Sequence, residues 1–401
     1  MISNQILLEK INELAPYMKE TRVYLHQHPE LSSQEYETAE FLKKEIQKLG
    51  LPIIPVKGTG FFAILDTGKP GKTVALRTDI DALPIQENPN NLKGPRKWIS
   101  KNDGVAHMCG HDGHMAVLLA AMKLLVDIKD DLQGRVLFLF EEGEEIGSGI
   151  EAMLDGIKDQ SIDAIYGTHL TSFMPTGQIC LDSGPRMAGA IVIDFEVIGR
   201  SGHGSRPDLS INPIFAASAV LNGLTSAWAN QLDVSKTVTL GLTQFHAGAV
   251  NNVIPEKARI GGSLRYFDLN EGKKAFDVFK YLTEKTASAH LCSVEFSNEM
   301  RIATIPVYND DKLSLLAREG VKELYPEQLV TDIQWYASES FSHYDKIAPS
   351  VFAFVGIGNK ELGSGAEHHN DRFDMDDDAM PYSLGATVKF AVNFLTENAD
   401  E

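Results

Sequence analysis

Short apolar segments alternate with helical ones along the first half of this 401-residue chain, and its polar motifs fall directly after the apolar segments. Residues 60–65, 73–77, 134–140 and 164–168 read as strands, while 4–28, 35–49 and 114–126 carry helical periodicity. Strands alternating with helices specify an α/β layer architecture with a largely parallel sheet. Ligands of such sheets bind outside the carboxyl ends of the strands, so the motifs there are expected to converge.

The pattern changes near Met187. Residues 190–198 alternate apolar and polar, as a half-buried strand does. A helix over 213–228, strands over 237–245 and 258–265, a helix over 272–289 and a strand over 293–296 follow. That β-α-β-β-α-β order is expected to form a small, separate α+β domain of ferredoxin-like type. From about residue 303 the helix and strand alternation returns, so the first domain is interrupted by the second.

With 37 basic against 55 acidic residues, the net charge of −18 argues against nucleic acid and anionic membrane as partners. It fits a soluble cytoplasmic enzyme and favours the capture of cations. The cysteines, Cys109, Cys180 and Cys292, are too few and odd in number for a disulfide framework. The N-terminal segment is charged throughout, so no signal peptide is expected, and no apolar run reaches membrane-spanning length.

The densest chemistry lies in His107-Met108-Cys109-Gly110-His111-Asp112-Gly113-His114. Imidazole, thiolate and carboxylate are the groups that hold transition metals. Gly110 permits a sharp turn, which lets Cys109 and His111 aim at one point. A second motif, Glu141-Glu142-Gly143-Glu144-Glu145, follows an apolar strand. Packed carboxylates repel unless a cation or solvent relieves them, and a solvated acidic loop is the plainer alternative. Adjacent glutamates can also divide labour, one ligating a metal and the other holding a water. Asp79 and Asp81 share a face at a strand end, where helix capping is the plainer role. His169, after the strand at 164–168, and the pair His368-His369 are ambiguous taken alone.

Together these segments resemble one family. Its opening LHxHPEL is matched by Leu25-His26-Gln27-His28-Pro29-Glu30-Leu31, and RTDIDALPIQE at 77–87 and HMCGHDGH at 107–114 follow. The match continues through GRSGHGSRPDLSINPI at 199–214, NVIPEKARIGGSLR at 252–265 and HNDRFDMDDDAM at 369–380. The chain resembles a di-metal amidohydrolase of the aminoacylase and carboxypeptidase superfamily. The branch it resembles contains hippurate hydrolase, indole-acetyl-amino-acid hydrolase and N-acetyldiaminopimelate deacetylase.

The resemblance implies an α/β, metal-dependent exopeptidase-like catalytic domain with a mostly parallel sheet, residues 1–187 and 303–401. A small ferredoxin-like lid and dimerisation domain, 188–302, interrupts it. Two divalent metal ions, manganese or zinc with cobalt or nickel as alternatives, are implied on Cys109, His111, Glu145, His169 and His369. Glu144 takes the place of the general base, Asp81 that of the aspartate orienting a ligand, and His203 that of a contact to the scissile carbonyl. Asn252, Arg265 and Glu339 match substrate-binding positions, with Arg265 suited to a carboxylate. A homodimer or higher homo-oligomer is also implied.

Some positions depart from the branch. Glu141-Glu142-Gly143 replaces the usual Gln-Pro-Ala, so Glu141-Glu142 competes for the catalytic register; the spacing to Gly147, Gly149 and Met153 favours Glu144-Glu145. Asp79 replaces a usual histidine, Met108 a usual alanine, and Ser340 a common aspartate, and Leu170-Thr171-Ser172 follows His169 in place of the frequent Val-Trp-Pro. The implied reaction is hydrolysis of an N-acyl-amino acid to a carboxylic acid and a free amino acid. A metal-dependent dipeptidase or carboxypeptidase is the alternative enzyme, and a non-catalytic metal-binding protein the alternative of another class.

Overall fold

The computed structural model describes residues 2–396, and its contacts divide the chain into two compact units. The larger unit runs to Gly184 and resumes over Tyr308–Ile333 and from His343 onward. The smaller comprises Pro185–Val307 together with Gln334–Ser342, a segment that sequence alone places in the flanking domain.

The larger unit is built on an eight-stranded sheet. Its four inner strands, Arg135–Glu141, Thr73–Asp79, Ala164–Pro175 and Ser350–Gly358, lie parallel in that order. Apolar runs such as Val351 to Val355 are what burial on both faces requires. Antiparallel pairing is confined to the margins, where Phe61–Asp66 and Ile53–Pro55 extend one side and Ile179–Cys180 the other. The helix His111–Asp127 has only Lys123 as a charge between its first and last turns, and it is accordingly buried on nearly every side. It packs against the helices Asn4–Gln27 and Met380–Thr396. No helix among the described residues is long and apolar enough to cross a membrane.

The smaller unit carries an antiparallel sheet in the order Val238–Ala247, Lys257–Tyr266, Gly189–Ile198, Ser293–Phe296. Numbered by sequence, that order is second, third, first, fourth, as the β-α-β-β-α-β pattern leads one to expect. Gly189–Ile198 alternates buried and half-buried residues along most of its length. Ile191, Ile193, Phe195 and Val197 meet the helices Pro213–Gln231 and Leu269–Ala289 in a core of their own. Asn212 caps the first helix, with Pro213 at its opening position. Asp268 caps the second. Val238–Ala247 forms a long sheet edge, mostly exposed.

Candidate metal centre

Cys109 and His111 flank Gly110, whose φ of 91° lies in the left-handed region that glycine enters without a Cβ penalty. The helix His111–Asp127 begins at this turn. His111 Nδ1 lies 3.0 Å from the Asp81 carbonyl and 3.2 Å from its Oδ1. Both oxygens accept, so Nδ1 carries a proton and Nε2 faces the centre. His111 Nε2 is buried with no hydrogen-bond partner among the described residues and sits 3.7 Å from Glu145 Oε1, which has none among them either. Asp81 Oδ2 accepts from Ser32 Oγ at 2.7 Å and from the Glu145 N–H at 3.1 Å. One carboxylate therefore aligns the imidazole and anchors the turn that bears Glu145.

Cys109 stands at the middle. Its ligand atom groups within 4.8 Å with those of His111 and Glu145, and again with those of His169 and His368; Asp79, His111 and His114 form a third such group. Some of these side chains are already engaged in hydrogen bonds, and others present a ligand atom to the centre. His169 Nδ1 donates to the Leu170 carbonyl at 2.9 Å, which turns Nε2 toward Cys109 Sγ at 3.6 Å. His114 uses both nitrogens, Nδ1 on Asp79 at 2.8 Å and Nε2 accepting from the Leu170 N–H at 2.9 Å. His368 Nε2 accepts from the Ser172 N–H at 3.1 Å. His369 is held at φ 62° by its N–H bond to the Met108 carbonyl, and its Nε2 reaches Glu145 Oε2 at 3.2 Å. Cys109, His111, Glu145 and His169 are thus brought together, with Cys109 common to two ligand groups; His369 joins through Glu145, while the group of Cys109 and His169 holds His368 in its place.

The local field favours a cation. Burial, with the Glu145 charge beside it, pushes the Cys109 thiol well above its usual range. Burial also opposes charge on His111, yet Asp79 and the Asp81 hydrogen bond hold its imidazolium well above the ordinary value. His169 is kept neutral by burial and by His114. Buried unpaired ligand atoms in a field of carboxylates, with thiolate and imidazole donors present, fit a divalent transition metal.

The paired glutamates separate by environment. Glu141 Oε2 accepts from Arg77 Nε at 2.9 Å and from Tyr344 Oη at 2.9 Å, beneath the site. Glu142 accepts from the Thr59 N–H and lies 2.8 Å from its hydroxyl. Gly143, at φ 58°, then turns the chain so that Glu144 and Glu145 open a short helical turn. Glu144 lies close enough to Cys109 for its charge to raise the thiol. Glu141→Gln is expected to lower stability by about 3 kcal/mol, because it removes a buried partner of Arg77. Urea unfolding checks this, and metal content should not change.

In the smaller unit, His203 ends the strand Gly202–His203, which pairs with Val253–Ile254. Asn252 adjoins it, its carbonyl accepting from the Gly204 N–H at 2.8 Å. Arg265 is half-buried, and its side chain's one hydrogen bond among the described residues runs from Nη1 to Ser338 Oγ at 2.9 Å. Glu339 is buried and accepts from the Phe341 N–H at 3.1 Å.

Two supporting groups escape sequence reasoning. His26, inside the opening motif, bonds Asp112 at 2.9 Å and Glu87 at 3.0 Å. Burial alone would lower its pKa, but those bonds raise it to about 9, so a cationic imidazole braces the helix turn that carries His111. His368 orders the backbone at Ser172. Its adjacency to His369 was the available signal, and adjacency does not say which ring is engaged.

A family model described as Peptidase family M20/M25/M40 matches residues 75–393. The chain is 31% identical to thermostable carboxypeptidase 1 of Saccharolobus solfataricus, over 97% of this chain and 98% of that protein. It is 37% identical to an N-acyl-L-amino acid amidohydrolase of Geobacillus stearothermophilus, over 69% of this chain and 74% of that one. Among solved structures, a dinuclear metal-binding M20 peptidase of Bacillus subtilis superimposes with a TM-score of 0.83 at 28% identity, over 96% of this chain and 99% of that one.

Proposed function

The chain belongs to peptidase family M20/M25/M40, and from that premise we propose that it hydrolyses the amide bond of N-acyl-amino acids, releasing a carboxylic acid and a free amino acid. The observation that carries this proposal is the pair of ligand groups meeting at Cys109. With His369 joined through Glu145 at 3.2 Å, Cys109, His111, Glu145, His169 and His369 would hold two divalent cations, manganese or zinc by donor type, with cobalt or nickel also suited. When bound, such cations polarise a carbonyl and acidify water.

The protein's own groups do the rest. Glu144 takes a proton from the attacking water as the new C–O bond forms, and passes it to the leaving nitrogen as the C–N bond breaks. Asp81 keeps the His111 imidazole in one tautomer and orientation. His203 donates a hydrogen bond to the developing oxyanion. Arg265, whose planar fork has no carboxylate partner among the described residues, receives the substrate carboxylate. Asn252 and Glu339 complete the substrate contacts.

His203→Ala should leave metal content intact and lower kcat by about a hundredfold, the usual effect of losing one oxyanion donor. Elemental analysis and steady-state kinetics read the two parts separately. A homodimer or higher homo-oligomer is supported by the exposed edge Val238–Ala247, since an unpaired strand is a template for another chain. Three buried cysteines without disulfides suit a cytoplasmic location.

The carboxypeptidase relative keeps a second reading in play, in which the acyl group is itself a peptide. A panel of acetyl-, benzoyl- and indole-acetyl-amino acids, set against dipeptides with a free amine, decides between them. Turnover of the acylated set supports the amidohydrolase. Turnover confined to dipeptides transfers the assignment to the peptidase.

A further inference from the structure

We propose that Ser205 is a positioning residue that fixes His203 in the tautomer bearing its proton on Nε2. The sequence around it, Gly202-His203-Gly204-Ser205, is a tight turn at the end of a two-residue strand. The Gly204 N–H is tied to the Asn252 carbonyl at 2.8 Å, and the Arg206 N–H to the His203 carbonyl at 2.9 Å. This folds Ser205 back over the imidazole. Its backbone N–H lies 3.1 Å from His203 Nδ1, and its Oγ lies 2.8 Å from the same atom.

A backbone N–H can only donate, so Nδ1 must offer its lone pair. A neutral imidazole has one N–H, which is then on Nε2. The opposite tautomer would set N–H against N–H. The hydroxyl adds a second contact to Nδ1 and narrows the ring's rotation. Nε2–H is left as a donor aimed away from the turn, as stabilising an oxyanion requires. This inference rests on the reading of His203 as the oxyanion donor, and the experiment separates the two.

The test is nitrogen NMR of the zinc-loaded full-length protein labelled at histidine, with His203 assigned by its disappearance in His203→Ala. Protonated Nε2 and bare Nδ1 are expected; the reverse assignment overturns the proposal. Ser205→Ala should lower kcat by about two- to tenfold, the fold-change of one net hydrogen bond, with KM unchanged. Ser205→Thr should restore it. Wild-type kcat in Ser205→Ala overturns the role of the hydroxyl. An Nε2–H signal together with a fully active His203→Ala would support the tautomer lock and remove His203 from catalysis.

Discussion

Cys109→Ala is expected to lose at least one metal per chain and most of its activity. The thiol is the atom shared by two ligand groups, one with His111 and Glu145 and the other with His169 and His368. Removing it withdraws a donor from both at once. The neighbouring imidazoles cannot swing in to replace it. His114 is tied at both nitrogens, and His368 Nε2 is engaged by the Ser172 N–H. Because ligands of structural and catalytic metals contribute binding energy directly, metal affinity should fall together with activity. Elemental analysis after dialysis provides the check. Two metals per chain with near-normal turnover would remove Cys109 from the ligand set.

Glu144→Gln should keep the fold and the metals while kcat falls by about two to four orders of magnitude, the span of a lost general base. Glu145→Gln should instead weaken metal binding, since Glu145 lies 3.7 Å from His111 and 3.2 Å from His369. The two glutamates are neighbours in sequence, and the backbone N–H of Glu145 is tied to Asp81. That bond presents its carboxylate to the cluster. Kinetics and metal content measured on both variants distinguish the roles. A catalytic loss in Glu141→Gln or Glu142→Gln with none in Glu144→Gln would move the register.

Much of this was legible in the chain. Three of the four inner strands are marked by apolar runs read in the sequence, Ser350–Gly358 being the exception, and the chemistry follows the strand ends at Asp79 and Glu141. The misplaced boundaries have physical causes. The helix expected from His114 begins at His111, because its cap is Gly110 in a left-handed turn rather than a Ser, Thr or Asp that sequence can flag. The strand expected to stop at Thr168 runs on to Pro175, so His169 lies inside it. Pairing with Ser350–Gly358 outweighs the polar Thr171 and Ser172. Among four nearby glutamates, spacing favours Glu144-Glu145 but does not say what holds the other two. Burial against Arg77, Tyr344 and Thr59 separates Glu141 and Glu142 from the others. His26 was hidden for a related reason: its partners, Glu87 and Asp112, are distant in sequence and meet it only in the fold.

The most direct measurement of the central claim is amine release from an N-acetyl- or N-benzoyl-amino acid by the purified protein. It is made as isolated, after removal of metal by a chelator, and after return of manganese or zinc. Hydrolysis that disappears on chelation and returns with the divalent ion, in Glu145-intact but not Cys109→Ala protein, is the expected result. Hydrolysis unaffected by chelation, or no hydrolysis of any acylated amino acid with any of these metals, would contradict the account.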